Sequence, residues 1–417
     1  MGALPRDRRL AAAVWRRLAC VLVLLASVAA CSRSIAPRRP SALERDLSAV
    51  EADSKLAARV DQAAETILAR NRLSGFSIAV SKNGRLLLAK GYGFADLRDR
   101  RPATARTAYR VGSVGKQFTA AAVLKLAHSG SLSLDDEITR FLPDFPPRLG
   151  GVTVRNLLTH TSGIAEYTRI SQFAHNYGVD MTREEVVDLV LSRPPDFPPG
   201  SRHQYNNSGY LLAGLIVERA SGRTFRDYLH QEVLRPAGLE QTRYCEEESP
   251  PEGDAVGYIP QTGLWPRAAR LGRLPSLAEA PAVNMRIVFS AGAICSNVTE
   301  LLRWNQALRS DRVVPGAYGQ MSDPVDVPGR VPVSYGMGLE MRRAGSHPAV
   351  GHGGVINGFI SQLNYFPRDE LDVAFLANTQ PPGLEDALEV WTTLLTAIFD
   401  EPIRSWGAFE SQPPAGG

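Results

Sequence analysis

The spacing of hydrophobic and polar positions changes several times along the chain, and each change marks an element. Leu56, Val60, Ala64, Ile67 and Leu68 recur at helical spacing and predict a helix over 56–73. Two apolar runs, 76–81 and 85–94, flank Asn83-Gly84, the dipeptide best suited to a two-residue hairpin turn. A helix is expected over 113–129, stopped by Gly130. Further helices are expected over 153–160, 182–192, 208–220 and 224–234, divided by breakers such as Pro198-Pro199-Gly200. Residues 246–290 have little period and many Pro and Gly, and read as a long irregular segment. Beyond it the pattern predicts a helix over 297–308, strands over 335–341, 359–366 and 371–377, a helix over 384–399 and a loose tail. Strands thus gather at both ends around a helical middle. The layout implies an α+β fold, an α/β sandwich: an antiparallel sheet built from 56–110 and 330–400, flanked by terminal helices, with an all-helical subdomain inserted over 111–329. One domain would span 56–400, followed by a tail at 401–417.

The first 30 residues carry a different signature. Arg6, Arg8, Arg9, Arg16 and Arg17 precede an apolar run over 18–30, shorter than the roughly 20 residues a bilayer-spanning helix needs. A basic stretch, a short apolar stretch and small residues read as an export signal. Val28-Ala29-Ala30-Cys31 resembles a bacterial lipobox, which implies cleavage before Cys31 and lipid on its thiol. The plainer alternative is a cut after Ala30 with Cys31 incidental. Ser32 in place of an aspartate implies sorting to the outer membrane, facing the periplasm. Residues 31–55 then form the lipidated cysteine and a polar tether.

Charge reinforces that division. The chain has 47 basic and 43 acidic residues. The export signal holds five of the basic residues and one of the acids, so the remainder balances and a nucleic-acid partner loses its support. Beyond Cys20 and Cys31 only Cys245 and Cys295 remain; in an oxidising compartment they either pair or serve as two small buried hydrophobes. No cysteine–histidine cluster has zinc spacing, and neither a metal nor another cofactor is expected.

Lysine is scarce, which sharpens the search for chemistry. There are five (Lys55, Lys82, Lys90, Lys116 and Lys125) and none beyond position 125. Ser113-Val114-Gly115-Lys116 is the sole Ser-x-x-Lys. Residues three apart share a helix face, so the amine meets the hydroxyl. A serine needs a base to become a nucleophile. A lysine serves once burial or a nearby cation lowers its pKa from about 10.4. The same letters also fit an N-cap serine and a solvated lysine. Tyr205-Asn206-Asn207 offers a hydroxyl for proton relay and an amide able to hold both the lysine and a substrate carbonyl, or else a helix cap. Gly351-His352-Gly353-Gly354 precedes an apparent strand. Its glycines let a substrate backbone approach, and the N–H groups of Val355 and Ser113 are candidates for an oxyanion hole. His352 is expected to face the cleft as donor or acid, and His160 to pack a turn.

In this order, Ser-x-x-Lys, Tyr-x-Asn and His-x-Gly resemble the boxes of the serine β-lactamase and penicillin-binding-protein superfamily. Leu157-Leu158-Thr159-His160-Thr161-Ser162-Gly163, Pro199-Gly200 with Tyr205-Asn206-Asn207-Ser208-Gly209-Tyr210, and Pro236-Ala237-Gly238-Leu239 with Thr242 are similar to segments of its class C-like branch. The resemblance implies Ser113 as acylated nucleophile, Lys116 and Tyr205 as proton-transfer groups, and His352 as a catalytic residue of the third box. Asn207, Gly353, Gly354 and Val355 would surround the substrate. Members of this superfamily usually carry Lys-Thr-Gly in the third box, where the cation grips a ligand carboxylate; here no lysine is left to supply it. The His-x-Gly form is similar to the branch of esterases and D-amino-acid peptidases. The reading is therefore an exported lipoprotein serine hydrolase, held at the membrane through Cys31, that cleaves a small-molecule or peptide ester or amide. The alternatives are a true β-lactamase or D,D-carboxypeptidase, and an inactive binding module. An α/β-hydrolase is excluded, since no Gly-x-Ser-x-Gly occurs.

Overall fold

A computed structural model describes residues 53–70, 73–170, 180–246, 251–261 and 277–408. The expected export signal, Cys31 and most of the expected tether lie outside the described residues.

The chain opens with helix α1 (Ser54–Ala69), capped by the Asp53 carboxylate, which accepts the N–H groups of Lys55 and Leu56. Strands β1 (Gly75–Lys82) and β2 (Arg85–Asp96) follow as a hairpin. Asn83 and Gly84 both adopt positive φ (52° and 75°), as a two-residue turn with the twist of its strands requires. The short strand β3 (Arg101–Pro102) pairs with β2. From the far end of the sequence come β9 (Glu340–Ala344), β10 (His347–Ile356), β11 (Phe359–Phe366) and β12 (Leu371–Ala377). Helix α7 (Leu384–Phe399) follows them. These strands form one antiparallel sheet in the order β13-β9-β10-β11-β12-β1-β2-β3, where β13 is Trp406–Ala408. This strand corrects the expectation of a loose tail from 401 onward. Trp406 meets the Trp391 ring edge-on at 5.8 Å, so the aromatic side chain draws the chain back to the sheet.

Both faces of the sheet are covered, and the central strands show it. β1 and β12 are buried almost throughout. Phe76, Ile78, Val80, Val373 and Phe375 point to one layer, where they pack against Val60, Ala64 and Ile67 of α1 and Trp391, Leu394 and Leu395 of α7. Ala79, Ala374 and Leu376 point to the other, where the helical middle lies. Burying a side chain of this size contributes about 1.5–3 kcal/mol. This layer holds the two ends of the chain together.

The inserted region contains α2 (Lys116–His128), α3 (Val154–Leu158), α4 (Arg183–Ser192), α5 (Asn207–Ser221) and α6 (Val298–Arg309). It is not purely helical. Strands β4 (Tyr109–Arg110), β8 (Ile294–Ser296) and β5 (Arg243–Tyr244) make a small sheet in the order β4-β8-β5. Pairing of β5 with β8 brings Cys245 and Cys295 together as a disulfide, Cα to Cα 5.8 Å. The expected irregular segment holds a further pair, β6 (Tyr258–Pro260) with β7 (Leu277–Glu279). Two differences matter for the site. Residues 335–339 are not strand, which begins at Glu340. The His352 box is followed by β11, as expected, and itself lies inside a further strand, β10.

Candidate active site

Ser113 sits in a single 3-10 turn, Gly112–Gly115, that leads directly into α2. The turn is pressed against β10. A Cβ added to Gly354 would lie 2.2 Å from the Val111 carbonyl oxygen and 3.1 Å from the Ser113 nitrogen, so only glycine admits this approach. A Cβ on Gly112 would lie 3.1 Å from the Val355 carbonyl oxygen. The backbones of Ser113 and Val355 are therefore neighbours. Register sets the direction of the Val355 amide. Ile356 and Phe359 close a two-residue turn, so their pair is hydrogen-bonded, and alternation aims the peptide groups of Val355 and Gly353 away from β11. β9 pairs with β10 only as far as Gly351, which leaves that edge of Gly353 and Val355 open to the cleft.

Lys116, the first residue of α2, is fully buried. Its Nζ contacts Ser113 Oγ at 3.1 Å, Asn207 Oδ1 at 2.7 Å and the Ala291 carbonyl oxygen at 2.8 Å. All three partners are neutral. Burial pushes the amine down to about 7, against the opposing pull of the more distant Glu166 and Glu340 carboxylates. A neutral amine keeps two of these contacts as donor and turns its lone pair to the third, the Ser113 hydroxyl. The geometry therefore suits both protonation states.

Asn207 opens α5, whose cap is Asn206: its Oδ1 accepts the Gly209 N–H at 2.7 Å. Glu166, which the sequence reading passed over, fixes Asn207. Its carboxylate accepts the Asn207 backbone N–H and, at 3.3 Å, the Asn207 Nδ2–H. With the amide nitrogen engaged there, Oδ1 is turned to Lys116. The negative charge also sits at the positive end of α5. The signal for Glu166 was an acid just past the Leu157–Gly163 stretch in an otherwise apolar run.

Tyr205 lies over Lys116, with Nζ 4.9 Å from its ring centroid. Its hydroxyl is buried without a closed hydrogen bond, although Ser113 is near enough to oppose a rise in its pKa. Burial dominates and holds the phenol well above its usual range, so it carries its proton at neutral pH. His160, at φ 58°, accepts the Asn206 N–H on Nδ1 at 3.1 Å and packs against the Tyr205 ring at 4.3 Å.

His352 lines the cleft, as expected, but is almost closed off from solvent. It is only 2% exposed. Nε2 pairs with the Tyr335 hydroxyl at 3.1 Å and Nδ1 with the Gly353 carbonyl oxygen, so both ring nitrogens are occupied within the protein. Gly354, two residues on, shares this face of β10 and lies against the Ser113 turn, so His352 also borders the cleft. Burial lowers its pKa and keeps it neutral. His352 forms part of the cleft wall, with both ring nitrogens engaged within the protein.

Ser113, Tyr205, Asn207, His352, Gly353, Gly354 and Val355 line a cleft of about 820 Å³, together with His203, Tyr335, Glu340 and Arg342. The structure thus brings the three separated sequence boxes to one place.

The "Beta-lactamase" family model matches residues 60–397. Penicillin-binding protein 4* of Bacillus subtilis is 27% identical over 327 residues, covering 76% of this chain and 70% of that protein. A D-aminopeptidase of Brucella anthropi is 28% identical over 342 residues, covering 79% of this chain but 61% of its own length. Among solved structures, the D-amino acid amidase of Ochrobactrum anthropi SV3 complexed with D-phenylalanine superposes with a TM-score of 0.71 at 25% identity, over 83% of this chain and 99% of that one. The octameric penicillin-binding protein homologue of Pyrococcus abyssi gives 0.68 at 28% identity, over 84% and 79%. With a match spanning the sheet, the helical middle and every residue of the cleft described above, the chain belongs to the Beta-lactamase family of serine hydrolases.

Proposed function

We propose that this chain hydrolyses an amide or ester through an acyl-enzyme on Ser113, with D-aminoacyl amides and peptides as the favoured class. The observation that carries the reading is the buried Lys116 amine, held against Ser113 Oγ by neutral partners alone. In its neutral form it takes the Ser113 proton as Oγ bonds to the substrate carbonyl carbon. The carbonyl oxygen becomes an oxyanion, which the Ser113 and Val355 N–H groups receive. Tyr205, protonated, gives its proton to the leaving amine or alcohol as the C–N or C–O bond breaks, and Lys116 returns the proton. Water then attacks the acyl carbon by the same route in reverse and frees Ser113. The D-aminoacyl preference rests on the likeness to the D-aminopeptidase and the D-amino acid amidase. Export and lipid attachment at Cys31 complete the reading and place the enzyme on the outer membrane, facing the periplasm; they rest on the pattern of residues 1–31.

Incubation with a fluorophosphonate and a fluorescent penicillin, followed by mass spectrometry, tests the nucleophile. An adduct on Ser113 and hydrolysis of D-aminoacyl anilides, both lost in Ser113→Ala, are expected. No adduct with either probe and no turnover would refute an enzymatic role. Rapid loss of the penicillin adduct would favour a β-lactamase. Cys31→Ala should release the protein from membranes; retention there would refute the lipid anchor.

A further inference from the structure

Among the described residues that line the cleft, the two with fixed charge are Glu340 and Arg342. Both project from β9, and they are not equivalent. Arg342 Nε donates to Glu340 Oε2 at 2.9 Å, which pins the carboxylate in one orientation. The other oxygen, Oε1, lies 4.0 Å from His352 Nε2, beyond hydrogen-bond reach, while that nitrogen is occupied by Tyr335. Among the described residues Oε1 makes no hydrogen bond. The side chain is 17% exposed and lines the cleft, so a preoriented carboxylate borders it with one oxygen free of a protein donor. Burial pulls its pKa upward, but the basic groups around it, the Arg342 guanidinium among them, outweigh burial and hold the carboxyl below the usual glutamate range. A buried anion with an unfilled acceptor suits a cationic donor.

Its position along the sheet limits which cation. Glu340 is paired with Gly351, four residues before Val355 on β10. At about 3.4 Å per residue that offset is roughly 14 Å, and the glutamate side chain spans only part of it. The α-amine of an acyl residue lies two bonds from the scissile carbon and falls short. The terminal amine of a lysine- or ornithine-type side chain extends far enough.

We propose that Glu340 reads a side-chain ammonium on the acyl residue of the substrate, so that the preferred substrates are D-aminoacyl amides of diamino acids. This rests on the reaction proposed above and adds the identity of the side chain. Glu340 is a specificity residue, and the Ser113 chemistry proceeds without it.

The test compares kcat/KM for the p-nitroanilides of D-lysine, D-norleucine and Nε-acetyl-D-lysine in the wild-type protein and in Glu340→Gln. The expected result is a preference of tenfold or more for D-lysine over D-norleucine, abolished by acetylating the ε-amine. In Glu340→Gln the lysine-to-norleucine ratio falls to within twofold of one. A general disturbance of the cleft would lower all three rates together and leave the ratio standing, which would overturn the proposal. Equal turnover of D-lysine and D-norleucine by the wild-type protein would also overturn it, as would a preference for an N-succinyl substrate, which would assign recognition to Arg342 instead. If none of the anilides is cleaved, the D-aminoacyl reading itself falls and this inference with it. If D-norleucine is cleaved as well as D-lysine, only the inference falls.

Discussion

Lys116 and Arg309 are both basic side chains taken into the interior, and the protein treats them in opposite ways. Arg309, at the end of α6, meets Asp372 of β12 with two parallel contacts, Nη1 to Oδ1 at 2.6 Å and Nη2 to Oδ2 at 2.9 Å. Its guanidinium lies 3.6 Å over the Tyr365 ring, and Asn305 donates to the same carboxylate at 3.2 Å. Charge, fork geometry and stacking are all satisfied, and the arginine pins α6 to the sheet. Lys116 is buried more deeply yet touches no carboxylate; its partners are a hydroxyl, an amide and a backbone carbonyl. Glu166 is close enough to act on it but accepts from Asn207 instead. A directly paired lysine would remain protonated and useless as a base. Withholding the counter-ion converts the cost of burial into a group poised near neutrality.

Changing the two residues separates their roles. Lys116→Met should lower kcat/KM for any ester or amide by about 10³-fold or more, with little loss of thermal stability, because no charge is left unpaired. Steady-state kinetics beside a melting curve checks both parts; a variant that retains activity would remove the lysine from the mechanism. Arg309→Met should do the reverse. It strands Asp372, buried to 2% exposure, at a cost of about 3–5 kcal/mol, while kcat/KM measured well below the melting temperature holds. A smaller effect is expected from Glu166→Gln. It frees Asn207 to turn its amide, and about 10- to 100-fold in kcat should be lost through misplacement of Lys116. The apparent pKa of the rate should move with it, a readout that a purely structural role would leave fixed.

Much of this contrast could be read from the sequence, for identifiable reasons. Asn83-Gly84 predicted its hairpin because a turn with two positive φ values needs those residues. The strands over 359–366 and 371–377 and the helix over 384–399 have the predicted bounds, set by apolar runs with clear punctuation. Ser113 and Lys116 stood out through local spacing. The illegible parts are those that depend on distant partners. The Ala291 carbonyl completes the lysine's surroundings, yet a backbone oxygen leaves no letter in the sequence. Glu166 became meaningful only once α5 was placed against it. The engagement of both His352 nitrogens depends on the Tyr335 hydroxyl and the Gly353 carbonyl, which a glycine-rich stretch does not announce. Trp406 joins the sheet through contacts with a helix that ends just before it.

The central claim is that Ser113 is activated by a neutral, buried Lys116. The most direct measurement is the rate of Ser113 acylation by a fluorophosphonate across pH 5 to 9. Because Lys116 must lose its proton to act as base, and its pKa is lowered to about 7, the rate should rise with pH through a midpoint near 7 and then level off. Lys116→Met should remove both the rise and nearly all of the rate. A rate that does not change across this range, or an adduct on another residue, would contradict the account.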